Sequence, residues 1–134
     1  MKKIIALLLI PLLSSCALYD AYMLTHYDPN EYMLITDIRA AAQLAKSQCD
    51  DPVVSKANAI KVANDTQLFV LFSEHVPHND AVIGASKDLH TIAQGLADQY
   101  AKYDKVSSGF CKIKFTSIET NANTMQQTIA RRPR

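Results

Sequence analysis

The chain has 134 residues and a formal net charge of +1, a length that suits one domain with a single core. A balance this close to neutral gives no sign of the strongly basic character of a nucleic-acid binder, so no nucleic-acid partner is expected. The absence of Trp, the presence of only three glycines and the abundance of Ala, Gln and Lys favour helices.

The first twenty residues, MKKIIALLLIPLLSSCALYD, divide by composition into three parts. Lys2 and Lys3 form a positive region, Ile4 to Leu13 an apolar run, and Ser14 and Ser15 a pair of small residues, which together describe an export signal. The apolar run of about ten residues is half of what a helix needs to cross a hydrocarbon core of roughly 30 Å, which argues against a permanent span. Leu13-Ser14-Ser15-Cys16 resembles the lipobox of bacterial lipoproteins cut by signal peptidase II. The resemblance is confined to this N-terminal segment. It implies cleavage between Ser15 and Cys16, a diacylglyceryl group on the Cys16 thiol and acylation of the new amine. Cysteine suits the step because its thiolate is the good nucleophile, and two or three acyl chains make a stable anchor. The expected cofactor content is this covalent lipid alone. In lipoproteins of this class an aspartate after the cysteine favours the inner membrane. Ala17 in that place points to the outer membrane, facing the periplasm. Residues 1–15 are thus read as signal peptide, 16–28 as a lipidated tether and 29–134 as the folded domain, and the formal charge of the chain from Cys16 onward, after loss of Lys2 and Lys3, is about −1.

Four helices are expected. Asp28-Pro29-Asn30-Glu31 reads as a helix start, with Asp at the N-cap, Pro at the first helical position and Glu completing a capping box. Ile35, Ile38, Ala42, Ala45 and Cys49 then follow steps of three and four on one stripe. Asp51-Pro52 opens a second helix towards Phe72. Asn64 and Gln67 interrupt its apolar seam, and Leu68 to Phe72 has the propensity of a strand. After the break around Pro77, Asn79 or Ser86 is placed to cap a third helix with the stripe Val82, Ala85, Leu89, Ile92, Leu96 and Tyr103, ended by Ser107-Ser108-Gly109. Cys111, Ile113 and Phe115 alternate like a strand. The longer series Cys111, Phe115, Ile118, Ala122, Met125 and Ile129 keeps helical spacing and decides for a fourth helix. Short connections make the fold an all-α, up-down-up-down antiparallel four-helix bundle.

In that topology Cys49 and Cys111 share one end of the bundle, and in an oxidising compartment they are expected to form a disulfide. The opposite end carries the tether and the C-terminal tail. There Tyr19 and Tyr22, with Arg131, Arg132 and Arg134, are candidates for contact with the membrane surface. For the arginines a frayed, solvated tail is the competing reading, and for the tyrosines packing on the base of the bundle.

Catalytic signals are thin: there is no Gly-rich phosphate loop and no defensible nucleophile-base spacing, so no enzyme is expected and no catalytic residue is assigned. His75 and His78, flanked by Glu74 and Asp80, are weak metal candidates at a Pro-containing turn that lacks a third ligand. His90 is expected to face solvent. The function this supports is that of a membrane-anchored, non-catalytic interaction or accessory protein of the cell envelope, of assembly or exclusion type. Its partners would be membrane lipid, through Cys16, and an envelope protein. The alternative is a carrier of a small ligand or metal using the bundle core or the His75-His78 turn.

Overall fold

The computed structural model describes residues 25–103 and 105–134, and the calls on Ser15, Cys16, Tyr19 and Tyr22 lie outside them. Four antiparallel helices follow: α1 (Pro29–Ser47), α2 (Pro52–Ser73), α3 (Asp80–Lys102) and α4 (Ser108–Ala130). Among the described residues there is no strand. The helices form a ring in which α1 packs against α4 and α2, and α3 packs against α2 and α4. No helix is long and apolar enough to cross a membrane among the described residues.

Both Asp-Pro starts act as the sequence implies. The Asp28 side chain accepts hydrogen bonds from the backbone N–H groups of Asn30 and Glu31, and Asp51 does the same for Val53 and Val54. Each cap satisfies amides that have no partner within the helix, and Pro at the first position supplies a preset φ. The stripe of α1 is buried at Ile35, Ile38, Ala42 and Ala45, and all six positions of the α4 stripe are buried. These faces meet Phe69, Leu89, Ala93 and Leu96 in one core.

Three local expectations need correction. Ser107-Ser108-Gly109 opens α4 instead of closing α3, because the Ser107 hydroxyl accepts from the Phe110 amide as an N-cap. With α3 ending at Lys102, Tyr103 is extended and about half exposed, and the aromatic residue that enters the core is Tyr100, one turn after Leu96. Neither Asn79 nor Ser86 caps α3 through its side chain: Asn79 precedes the helix but directs its amide elsewhere, and Ser86 lies buried within it.

A disulfide joins Cys49 to Cys111 across 62 residues, with both half-cystines buried. Beside it, Asp50 accepts hydrogen bonds from the Ser108 hydroxyl and the Lys112 ammonium, which hold its carboxyl below the ordinary carboxylate value. The ionised form of Asp50 therefore ties the α1-α2 turn to α4 at neutral pH, and the tie is lost as the pH falls through the lowered value. In the chain-entropy model a loop of this length contributes about 4 kcal/mol. Replacing Cys49 and Cys111 together by alanine is expected to lower the midpoint of thermal unfolding by roughly 15–30 °C, using the usual entropy of a domain this size. Circular dichroism melts check this, and an unchanged midpoint would show that the bridge does not restrain the unfolded chain.

Candidate functional site

Two features outside the disulfide end stand apart from ordinary core packing, and each begins with a departure from the expected pattern. The first is Glu31. Its position fits a capping box, yet its side chain turns inward and has no exposed surface. One carboxylate oxygen accepts from the Ser73 hydroxyl at 3.1 Å and the Asn79 amide at 2.6 Å, and the other accepts from Arg132 Nη1 at 2.5 Å. Arg132 Nη2 donates in turn to the Asn79 side-chain oxygen at 2.7 Å, and Asn79 also donates to the Ser73 carbonyl. A buried carboxylate is tolerable only when its charge is paired and its lone pairs are filled, and both conditions are met here.

This network corrects the reading of the C-terminal tail. Arg132 is not in a frayed end: its side chain is 10% exposed and committed to Glu31. Arg134 stands over the Tyr27 ring at 5.3 Å, while the Tyr27 amide donates to the Pro133 carbonyl at 2.8 Å. Arg131 stays exposed. Thr25 donates to the backbone carbonyl of His78, whose φ of 58° is the left-handed value in the turn before α3. Between these segments lies an open cleft of about 370 Å³, lined among others by Thr25, His78, Val82, Thr128, Arg131 and Pro133.

The expected histidine pair falls at this end, with both rings exposed. His75 Nδ1 lies 2.8 Å from the Leu71 carbonyl and donates to it, which takes one ring nitrogen away from ligation. Among the described residues no group of three His, Cys, Asp or Glu side chains is arranged to hold a metal. His90 is half-buried, with Nδ1 3.1 Å from the Thr66 hydroxyl, and does not simply face solvent.

The second feature is α2, which is partly apolar on both its buried and its outward face. Its buried face includes Ser55, Thr66 and Ser73 beside Ala59, Val62 and Phe69. Its outward face carries Val53, Ile60, Leu68 and Leu71, which are 78%, 46%, 54% and 49% exposed. The inward hydroxyls are satisfied: Ser55 and Thr66 donate to carbonyls one turn back, and Ser73 to Glu31. Asn64 and Gln67, which interrupt the seam in the sequence, lie on the exposed side. Next to Ile60 a smaller cleft of about 200 Å³ runs between α2 and α3, lined among others by Ala63, Ala97, Lys56 and Asp98.

Comparison with known proteins finds no matching family model, no matching curated protein and no matching solved structure. The class this chain defines by its own geometry is a small disulfide-linked four-helix bundle with a buried ion pair at the end where the chain enters and leaves.

Arg131 and Arg132 are adjacent, yet their replacement is expected to differ. Arg132→Met leaves the Glu31 charge buried without its partner and should cost about 3–5 kcal/mol. Arg131→Met should shift stability by less than about 0.5 kcal/mol. Urea unfolding of the two variants measures both, and equal effects would refute the structural role of the pair.

Proposed function

We propose that this protein is a lipid-anchored accessory protein of a bacterial cell envelope that acts without catalysis, by binding a partner protein through the outward face of α2. The observation that carries the reading is the stripe Val53, Ile60, Leu68 and Leu71, an apolar surface that contributes little to the stability of the isolated chain. From residue 53 to residue 71 it extends about 27 Å at 1.5 Å per residue, and it is one helix wide. That footprint suits an amphipathic helix of the partner, laid along α2 and into the small-residue cleft towards α3. Lys56 and Asp98 in the cleft lining offer charges of both signs to fix its direction.

The anchor in this proposal is the diacylglyceryl group on Cys16, exposed as the new N-terminus once the chain is cut after Ser15. Ala17 supports placement in the outer membrane, facing the periplasm. Support for the anchor comes from the Leu13-Ser14-Ser15-Cys16 motif. The carrier alternative draws on the open cleft beside Thr25 and His78, which is a surface feature and not an enclosed core cavity. Ala42, Ala45, Phe115 and Ile118 fill the interior where such a ligand would otherwise lie.

Two experiments test the proposal. Radiolabelled palmitate should mark the wild-type chain and not Cys16→Ser, and label persisting on the variant would remove the anchor. Crosslinked envelopes carrying Leu68→Lys with Leu71→Lys should lose the protein captured by the wild type while the variant melts within a few degrees of it, since surface changes shift stability little. Capture of the same partner by this double variant would show that binding does not use α2.

A further inference from the structure

We propose that the disulfide end of the bundle, opposite the end where the chain enters and leaves, docks on an anionic lipid bilayer. This goes beyond the partner-binding role of α2 and rests on a different set of residues. Between positions 102 and 114 the sequence places four lysines against one aspartate. Lys112 is engaged by Asp50, and the Asp51 carboxylate of the same end caps α2, so Lys102, Lys105 and Lys114 give this end a small cationic excess over Asp51 and Asp104. The same thirteen-residue stretch exposes Tyr103 by 48%, Phe110 by 37% and Ile113 by 69%.

The charged and apolar groups are interleaved. The Lys102 ammonium stands 5.3 Å from the centre of the Tyr103 ring, and the Lys114 ammonium 5.5 Å from that of Phe110. Each pair sets a cation against an aromatic body, the arrangement that seats a side chain at a headgroup boundary with its ring in the acyl region and its charge among phosphates. Val106, within the same stretch, packs against the core.

A bilayer fits this tip better than a folded partner does. The apolar side chains are exposed, and neither of the two clefts described above is lined by them. A deformable surface accepts exposed rings without needing shape complementarity, and anionic headgroups complement the lysines. At the other end Arg132 is turned inward and committed to Glu31.

The test uses the full chain with Ile113→Cys carrying a polarity-sensitive fluorophore, added to vesicles of phosphatidylcholine alone or of phosphatidylcholine with phosphatidylglycerol. The N-terminal segment carries Lys2 and Lys3 and favours anionic vesicles as well, so the tip is reported by the loss of signal when its own lysines are changed in the same chain. The expected result is a blue-shifted, brighter emission on the anionic vesicles that is lost in high salt. Changing Lys102, Lys105 and Lys114 to Gln should lower the embedded fraction relative to the exposed one by roughly fivefold per lysine. Equal emission on both vesicles, or no effect of the three changes in a variant with unaltered circular dichroism, would overturn the proposal. The labelled chain also carries Cys16→Ser, so that with the other two cysteines in the disulfide the dye reports position 113 alone and the result does not depend on the lipid anchor.

Discussion

The Glu31 carboxylate, with no exposed surface, sets a condition that most of one end of the bundle must satisfy together. Its hydration is lost on folding, which costs several kcal/mol unless the charge is met at close range. The groups that meet it come from three separate places: Ser73 at the end of α2, Asn79 in the turn before α3, and Arg132 just beyond α4. Sliding α4 by one helical turn, about 5.4 Å, would carry Arg132 out of reach and leave the carboxylate without its cation. Apolar stripes alone tolerate such slips, since an Ile or Ala can be replaced by the next residue of similar size. The buried pair does not, and so it selects the register that the core merely permits.

The disulfide applies a complementary restraint at the other end. Cys49 to Cys111 and the pairing of Asp50 with Ser108 and Lys112 fix where α4 begins relative to the end of α1. Between the two ends, Lys46 pairs with Glu119, and Arg39 donates to Gln126, which donates to Thr36. Helices α1 and α4 are thus joined by polar or covalent links along their whole length. Helices α2 and α3 share fewer such links, among them Lys87 to Glu74 and the contact of Thr66 with His90. The half of the bundle with the denser links is the one adjoining the chain ends, and the apolar outer stripe lies on the other half.

The architecture was legible in the sequence because its signals are local and redundant. Two Asp-Pro starts, the stripe from Ile35 to Ala45 and the stripe from Cys111 to Ile129 each reported a helix independently, and the up-down order then placed Cys49 beside Cys111. The polar network was not legible, for a physical reason. A Glu three residues after an N-cap has the same sequence signature whether it folds back on the cap or turns inward, and only the arrival of Arg132 from 101 residues away decides between them. Tyr103 shows a second limit: periodicity continues past the point where a helix stops, and nothing local marked Lys102 as the end. Ser107-Ser108-Gly109 carries both a stop and a start signal, and the hydroxyl cap prevailed. For α2 the expected amphipathic contrast was absent because both faces are partly apolar, so the irregular seam was real information that a single-face reading could not use.

That second face has an energetic consequence for the proposed partner binding. Fully burying a Val, Leu or Ile side chain is worth about 1.5–3 kcal/mol, and Val53, Ile60, Leu68 and Leu71 are already partly covered, so their burial by a partner yields roughly half that each. The sum, roughly 3–6 kcal/mol, is no larger than the estimated 4–15 kcal/mol lost when two free molecules associate. The stripe alone therefore gives weak binding between partners diffusing in solution. Confinement changes the balance: when both partners are held at one surface, the association step is largely intramolecular, at effective concentrations in the millimolar range. A modest apolar face and the proposed lipid anchor on Cys16 are in this sense one device. In that proposal the anchor supplies the concentration at which so small a face suffices.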